Sequence, residues 1–441
     1  MIRIASCNVP LGPRSVARLV RAEFASFSRP LRVWLGVLTL LMLIGAAGAV
    51  RSVFFPGDKG LGTTATFEWG LLIIGYVFFA ITTSGLCLAS SLGTVFGIDR
   101  FKPLERRHAI LAVLSLVTAF GIIAIDLHYP VRMVFGAVFH PSPSSPMWWM
   151  GVVYGFYLCV LLLEVWSMFA GHRRIHQAAC TAAACTAIVA PATLGAVFGV
   201  MAARPYWHGL FTPPLMVASA FLSGTALLGV AFYFVHRLRL RSHERGTSHG
   251  IPAIRFLLAI GLVVVTILVG RQVVAGAVGG EPGLAEASAA VLTGPLAIPF
   301  WGGRVAAGLL VPLLLIAIPA TRTPGGTFAA SALAIGGVLV DRIIFVMAGQ
   351  ITPMTAVSGV VSAPYAGYLP SPVEIAVLVG AFALVAMAYT LAERYLDLGE
   401  KDVHAVSLRW LLRLSPVRRW RTSRPVPAEI RAAATTPAHR T

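Results

Sequence analysis

Ten stretches of about twenty mostly apolar residues constrain what this chain can fold into more than any other feature of its sequence. They lie at roughly 31–50, 69–96, 108–127, 147–168, 177–203, 210–236, 253–279, 299–320, 327–348 and 373–393. Each is long enough to cross the ~30 Å hydrocarbon core of a bilayer as a helix, which rises about 1.5 Å per residue. Because lipid offers backbone amides no partners, helices are the structure expected there. We predict an all-α integral membrane protein with about ten transmembrane helices.

The charged residues agree with a membrane protein and indicate its orientation. Hydrophobic residues make up 57% of the chain and charged residues only 12%, too few for a soluble protein of this size. If the N-terminus is inside, 26 of the 35 Lys and Arg residues fall in inner segments and four in outer segments. This asymmetry is the positive-inside rule, which predicts that both termini lie inside. We therefore attribute the net charge of +18 to contact with membrane lipids and not with nucleic acid.

The predicted spans divide the chain into six segments. These are a basic cytoplasmic N-terminal segment (1–30), the first transmembrane helix and outer loop (31–68), a first four-helix bundle (69–203), a second four-helix bundle (204–348), an outer loop with the last transmembrane helix (349–396) and a basic cytoplasmic tail (397–441). The pairs Ser84-Gly85 and Ser223-Gly224 occupy similar places in the first helix of each bundle. This correspondence predicts two parallel bundles related by a pseudo-repeat, with flanking helices, and small residues there allow close helix packing.

The sequence offers no ligand pattern for a prosthetic group. Its five cysteines lack the CxxC spacing of iron–sulfur centres, and its eleven histidines lie almost all at helix ends or in loops, where they cannot bind haem between helices. His172 and His176 share one helix face, but they adjoin two arginines, which favours a solvated basic loop. We therefore expect no haem, no iron–sulfur cluster and no metal in this chain.

Ionisable side chains within membrane spans are energetically expensive and indicate function by default. In this chain most of the polar candidates fall near the predicted outer ends of spans: Glu68, Asp126, His128, Tyr129, Arg132, Arg271, Arg304, Asp341, Arg342, Gln350 and Glu374. Quinone chemistry needs such a set, because the carbonyl groups need hydrogen-bond donors and each turnover moves two protons. Two alternatives remain open, since Glu68 and Glu374 can reach water from a helix end and Arg342 can serve only to neutralise Asp341.

Glu164 is the exception, because it lies near the predicted inner end of its span. It is a candidate for the point at which protons enter from the inner side. Pairing of this carboxylate with the inner basic loop explains its position equally well.

Four stretches of sequence carry a resemblance to a known family. They read EWGLLIIGYVFFAITTSG at 68–85 with FKPLERR at 101–107, DLHYPVRMVFGAVFHPSPSSPMWWMG at 126–151, PYWHGLFTPPLMVASAFLSGTALL at 205–228, and GGVLVDRIIFVMAGQ at 336–350 with YLPSPVEIAVLVGAFAL at 368–384. In this order they resemble the polysulfide-reductase membrane-subunit family of the NrfD/PsrC type, which includes hydrogenase-linked and alternative complex III membrane subunits. One departure concerns the family's Asp-Leu-Gly-Arg-Pro pattern, where His128 and Tyr129 replace Gly-Arg and Arg132 follows the proline.

The resemblance implies two four-helix bundles and, near the outer face, a site for an exchangeable quinone, either menaquinone or ubiquinone. On this basis Asp126 and His128 are the candidate catalytic residues, which would exchange protons with the quinone. The candidate quinone-binding residues are Glu68, Tyr129, Arg132, Arg271, Arg304, Asp341, Arg342 and Gln350. The resemblance also implies a ferredoxin-like iron–sulfur partner subunit bound to a larger catalytic redox subunit.

We therefore expect the quinone-binding membrane subunit of a respiratory oxidoreductase in a bacterial inner membrane. An ion-coupled secondary transporter is one alternative, since parallel repeats and buried charges suit transport too, although here the charges cluster at one face. A pure membrane anchor, with the polar cluster serving as a docking surface, is the other alternative.

Overall fold

Ten long apolar helices dominate the part of the chain that the structure describes. The structure is a computed structural model that describes residues 27–55, 60–98, 101, 104–127, 139–238, 246–278, 283–352, 365, 367–396 and 398. The ten helices are α1 (Arg29–Phe54), α2 (Leu71–Thr94), α3 (Glu105–Asp126), α4 (Pro146–Ala170), α5 (Arg173–Gly199), α6 (Thr212–Arg237), α7 (Gly246–Val278), α9 (Pro299–Ala317), α10 (Pro324–Ile351) and α11 (Pro372–Tyr395). A short helix, α8 (Leu284–Leu292), precedes α9. The predicted all-α membrane fold with ten spans is confirmed, whereas the orientation and the pseudo-repeat remain predictions.

Helix starts follow from local sequence signals. A Ser or Thr followed by Pro begins three of the helices, because the hydroxyl accepts a bond from an otherwise unpaired backbone N–H and Pro needs no such partner. Ser145 accepts from the backbone of Trp148 at the start of α4, and Thr323 accepts from Gly326 at the start of α10. At α11 the signal is a capping box, in which Ser371 and Glu374 each bond the backbone of the other.

Apolar side chains cover the outside of the bundle. Leu40, Leu43, Ile267 and Val274 are among many large apolar residues that point outwards. In water such a surface would drive association, whereas in a bilayer it is the surface that lipid requires. Helix α2 is different, because 89% of its most apolar segment is buried inside the protein. The bundle is therefore arranged around α2, with its other helices meeting lipid.

Helices α2 and α6 touch at their backbones. A Cβ atom placed on Gly85 would lie 1.7 Å from the carbonyl oxygen of Ala220, and one on Gly224 would lie 2.2 Å from the carbonyl carbon of Gly85. Beside this contact, the Thr82 hydroxyl donates to the Ser223 hydroxyl over 3.2 Å. The two Ser-Gly pairs in the sequence therefore meet each other, and only glycine fits at their crossing.

The helices define two ends of the bundle. We call the end at which residues 200–211 connect α5 to α6 the α5–α6 end, and it also holds the start of α2, the end of α10 and the start of α11. We call the end at which residues 171–172 connect α4 to α5 the α4–α5 end. It lies on the other side of the bundle, since the 27 residues of α5 make a helix about 40 Å long. The predicted orientation makes the α5–α6 end the outer one.

A buried ion pair joins α3 to α11 at the α4–α5 end. The Nε atom of Arg107 lies 2.6 Å from Oε1 of Glu393, and both side chains are buried. The Tyr389 hydroxyl donates to the same carboxylate oxygen over 2.7 Å. From the sequence, Arg107 counts only as an inner positive charge, because nothing near it indicates a partner 286 residues away.

We expect Gly85→Leu to prevent stable folding, because the new side chain would meet the backbone of α6. Overpacking typically lowers the free energy of unfolding by about 1–3 kcal/mol, and we expect the upper end of this range because the clash is with backbone. Unfolding in detergent, followed by the loss of helical circular dichroism, measures this difference. The matched control is Gly121→Leu on α3, where a Cβ atom meets nothing within 4 Å. Equal stability of the two variants would contradict the proposed backbone contact.

Candidate functional site

Three charged side chains are buried together between α9 and α10. The Nε atom of Arg304 lies 2.6 Å from Oδ1 of Asp341, and Nη2 of Arg342 contacts the other carboxylate oxygen. Arg304 is 3% exposed, Asp341 6% and Arg342 0%. We call these residues the charge cluster. Two arginines and one aspartate give the cluster a net charge of +1.

The local backbone explains why these side chains meet. Arg304 lies in the π-helical stretch Pro299–Leu310, and such stretches are rare and frequently mark functional sites. Four residues further on, Gly308 packs against Gly337 of α10, where a Cβ atom would lie 2.6 Å from the Gly337 Cα atom. Gly337 is in turn one helical turn before Asp341. The close approach of the two helices therefore lets the short aspartate side chain reach Arg304.

Arg342 also ties the charge cluster to α6. Its Nη2 atom donates to the hydroxyl of Ser219 over 2.7 Å, and its Nη1 atom contacts the sulfur of Met216. A buried guanidinium group needs hydrogen-bond acceptors as well as a counter-ion, because its desolvation is costly. Ser219 and Asp341 supply these on two different helices. The cluster therefore joins α6, α9 and α10 at the α5–α6 end.

Tyr206, in the loop between α5 and α6, connects the charge cluster to a cavity. Its hydroxyl accepts a hydrogen bond from Nε2 of Gln272 over 3.0 Å and interacts with Arg304. Burial raises the pKa of Tyr206 to about 12, so the phenol keeps its proton at neutral pH. Because Gln272 and Arg304 are donors, the hydrogen of the phenol is left for another acceptor.

A cavity of about 300 Å³ lies next to Tyr206. Its walls include Phe211, Arg271, Leu284, Ser288 and Phe345. The guanidinium of Arg271 is exposed and sits over the ring of Phe211, 4.0 Å from its centre. The volume is at the lower end of the range for small-molecule sites, with mostly apolar walls and a few polar groups. The cavity can therefore hold a flat, mostly apolar group that accepts hydrogen bonds.

Gln350 and Glu68 lie at the same end of the bundle as the cavity, beside the segment that leads into α2. The amide of Gln350 accepts from the backbone N–H of Trp69 over 3.0 Å and donates to its carbonyl over 3.1 Å. Its side chain is therefore used to fix the segment that leads into α2. Glu68 precedes that residue, is exposed and interacts electrostatically with Arg204. Neither Gln350 nor Glu68 lines the cavity.

Asp126 lies at the end of α3 and is half-buried. It interacts electrostatically with Tyr368, whose hydroxyl donates to Glu374 over 2.8 Å and whose ring stacks on Phe67. Burial raises the pKa of Tyr368 above its usual range. The predicted site residues that follow Asp126 in the chain, His128, Tyr129 and Arg132, lie outside the described residues.

The structure thus divides the predicted site residues into two groups. In the first group, Arg271 lines the cavity, and Arg304, Asp341 and Arg342 form the charge cluster, which Tyr206 connects to it. The others described at this end, Glu68, Asp126 and Gln350, lie around the segment before α2. The ring of Trp69 stacks on Trp207 with centres 5.1 Å apart, and Nε1 of Trp207 donates to the carbonyl of Phe345 over 2.7 Å. Because Phe345 lines the cavity, an aromatic contact connects the two groups.

Glu164 lies at the opposite, α4–α5 end and is 2% exposed. Near it, His176 lies within α5 with its side chain 15% exposed and its Nε2 atom 2.6 Å from Oε1 of Glu105. The interpretation of His176 as part of a solvated basic loop is wrong, because the helix turns this side chain away from its arginine neighbours towards α3. His172, by contrast, is exposed before the helix begins.

Two polar members of the site, Tyr206 and Ser219, were not among the residues predicted from the sequence. Tyr206 lies outside the apolar spans, where a polar residue has no energetic cost and gives no signal. Ser219 lies within a span, but a lone serine in a membrane helix usually bonds its own backbone. The one signal for Tyr206 was its place in the stretch at 205–228 that resembles the family.

Comparison with known proteins gives a family match and several relatives. Residues 60–354 match the family model described as polysulphide reductase, NrfD. A Halobacterium salinarum protein described as a membrane subunit of dimethyl sulfoxide reductase is 29% identical, over 86% of this chain and 94% of that protein. The integral membrane subunit of an Hdr-like menaquinol oxidoreductase from Archaeoglobus fulgidus is 23% identical, over 80% of this chain and 91% of that protein. A selenate reductase subunit of Mesobacillus selenatarsenatis is 23% identical, over 65% of this chain and 75% of that protein.

We expect Asp341→Asn to destabilise the protein by about 3–5 kcal/mol, because it leaves two buried arginines without their counter-ion. Denaturant unfolding in detergent measures this loss. Glu286→Gln on α8 is the control, since Glu286 is exposed and its loss should change stability by less than about 0.5 kcal/mol. Adding Arg304→Gln to Asp341→Asn should recover part of the stability. A double variant less stable than Asp341→Asn would contradict the ion pair.

Proposed function

Because the chain belongs to the NrfD polysulphide reductase family, we propose that it is the quinone-binding membrane subunit of a multi-subunit respiratory oxidoreductase. It would exchange electrons between the membrane quinone pool and an iron–sulfur partner near the outer face. The relatives support this assignment, since their names describe subunits of reductases and of a menaquinol oxidoreductase.

The observation that carries the proposal is the positively charged cluster next to the cavity. Reduction of a quinone adds negative charge to its oxygen atoms before protons arrive. A buried net charge of +1, fixed in place by Asp341 and Ser219, stabilises that charge without reorganisation. Arg271 adds a second positive charge at the cavity wall.

The hydrogen-bond donors of the cavity suit the two ends of a quinone head group. Tyr206 has a phenolic hydrogen to give to one carbonyl oxygen, because its bonds with Gln272 and Arg304 use the oxygen as acceptor. Arg271 can donate to a carbonyl from the cavity wall, while apolar residues such as Phe211 and Leu284 contact the ring. An exchangeable menaquinone or ubiquinone thus fits the chemistry of the lining.

We assign the proton exchange of this reaction to Asp126 and His128. Asp126 is half-buried near the surface of the α5–α6 end, so it can exchange protons with water. Glu68, Tyr129 and Arg132 would contribute to the same region. Gln350 would act as a positioning residue through Trp69 and not by touching the quinone. On this assignment the residues that bind the quinone and those that exchange its protons form two different groups.

The partners would be a ferredoxin-like iron–sulfur subunit and a larger catalytic redox subunit. The relatives named as subunits of dimethyl sulfoxide reductase and selenate reductase support this arrangement, because their names imply other chains. The larger subunit would act on the substrate. This chain would exchange electrons between that subunit and quinone, whatever the substrate is. The location would be the inner membrane of a bacterium.

Substitution of Arg304 by Gln should lower quinone turnover by the complex about 100-fold or more, because it removes a positive charge placed to stabilise the reduced quinone. Asp126→Asn should abolish turnover, because the amide cannot relay protons. Arg255→Gln is the control, since this arginine bonds the Arg322 carbonyl at the opposite end. Quinol oxidation or quinone reduction by isolated membranes measures turnover, and co-purifying partner subunits report assembly. Wild-type rates in Arg304→Gln and Asp126→Asn would remove both residues from the site.

Mild solubilisation of native membranes should yield this chain together with an iron–sulfur protein and a large redox subunit, identified by mass spectrometry. The same preparation should contain extractable quinone. If the chain is purified without any partner subunit from intact, well-solubilised membranes, that result would contradict the proposed complex and favour a transporter. Partners that assemble normally on a quinone-free chain would favour a pure membrane anchor.

A further inference from the structure

Three metal-ligating side chains converge at the α4–α5 end, on the opposite side of the bundle from the cavity. The ligand atoms of Glu105, His176 and Cys180 all lie within 4.8 Å of one another. Nε2 of His176 is 2.6 Å from Oε1 of Glu105 and 3.6 Å from Sγ of Cys180. Against the expectation from the sequence that this chain holds no metal, we propose that these residues form a binding site for a divalent transition-metal ion, with Zn²⁺ as the ion that fits best.

The imidazole of His176 is oriented as a metal ligand by its surroundings. Its Nδ1 atom lies 3.4 Å from the hydroxyl of Ser167, which itself donates to the backbone carbonyl of Glu164 over 3.0 Å. Ser167 can therefore accept a hydrogen from Nδ1, so that Nε2 can bind a metal ion in place of its hydrogen bond to Glu105. Hydrogen bonds of this kind fix the tautomer and ring orientation of metal-binding histidines.

Glu164 provides an independent sign that this place suits a cation. It is 2% exposed, and among the described residues its Oε2 atom has no hydrogen-bond partner. Its carboxylate interacts with the thiol of Cys180 and with His176. A buried carboxylate oxygen without a partner is costly, and a metal ion would satisfy it. Glu164 is therefore the candidate fourth ligand, and it would have to move closer to bind the ion, because its carboxylate is not among the ligand atoms within 4.8 Å of one another.

The ligand types and spacing favour zinc over other ions. Bond lengths of roughly 2.0–2.3 Å to nitrogen, oxygen and sulfur place neighbouring ligands of a tetrahedral zinc about 3.3–3.7 Å apart. The distance between the His176 nitrogen and the Cys180 sulfur already falls in this range. The shorter distance to Glu105 is a hydrogen bond, whose proton the metal would displace as the two groups separate by roughly 0.7 Å. Calcium and magnesium prefer oxygen ligands alone.

The site is reachable from the aqueous side. The side chains of Glu105 and His176 are 25% and 15% exposed, whereas Cys180 is buried below them. Glu105 begins α3 and His176 lies in the first turn of α5, so both are at the end of the bundle. An ion can therefore enter without crossing the apolar interior. The zinc site is independent of the quinone proposal, since the cavity lies at the other end of α5.

Zinc binding by the purified full-length chain tests this site directly. After incubation with Zn²⁺ and gel filtration, we expect about one tightly held zinc per chain by mass spectrometry of the metal. His176→Ala and Cys180→Ser should each weaken zinc binding by roughly 10-fold or more. The matched controls are His172→Ala and Cys185→Ser, because both residues are exposed and belong to the same region of the chain. They should keep the wild-type stoichiometry.

A second measurement uses the unmodified protein and does not depend on a variant that folds. Co²⁺ in the site should give a thiolate-to-cobalt charge-transfer band and the intense visible bands of four-coordinate cobalt, and added Zn²⁺ should remove them. Absence of these bands in the wild-type chain would overturn the proposal. The proposal would also be overturned if the His176→Ala and Cys180→Ser variants elute as folded protein and retain as much zinc as the control variants.

Discussion

The backbone contact between α2 and α6 at Gly85 and Gly224 is the constraint on which the rest of the packing depends. It lets the most enclosed helix of the protein lie against the helix that carries Ser219, one of the acceptors of Arg342. A side chain at either glycine would push α6 outwards and move Ser219 away from α10. The position of the charge cluster therefore follows from a contact that contains no charge.

The charge cluster is better explained by function than by stability. A buried ion pair seldom stabilises a protein more than well-packed apolar residues would, and here the charges do not even balance. The excess positive charge lies next to a cavity that has Tyr206 in its wall. Burying this charge costs folding free energy, whereas apolar residues at the same positions would not have this cost. In the function that we propose, its benefit would be a fixed electrostatic environment in which negative charge can form on the bound quinone.

The sequence predicted the spans, and it pointed to the three residues of the charge cluster as candidates, for the same physical reason. Apolar length determines what crosses a bilayer, and Arg304, Asp341 and Arg342 stood out because charge at that depth is expensive. Tyr206 carried no such signal, and the π-helical turn around Arg304 has no sequence pattern that distinguishes it from an α-helix. Asp126 was grouped with Asp341 by its predicted depth and by the family resemblance, and neither of these says which helices are neighbours.

The cluster of Glu105, His176 and Cys180 is a clearer case of what the sequence does not tell, namely which helices are neighbours. Glu105 and His176 are 71 residues apart and each sits beside arginines, so the sequence alone favours a solvated basic surface. The packing of α3, α4 and α5 instead turns both towards Glu164, the one membrane carboxylate predicted to lie on the inner side.

Protons entering through Glu164 would pass the same side chains that we propose as zinc ligands. Zinc and protons would then compete for one set of atoms, because a metal binds only the deprotonated ligands. A metal ion at this end would therefore close the inner approach to Glu164 while leaving the cavity and its charge cluster intact.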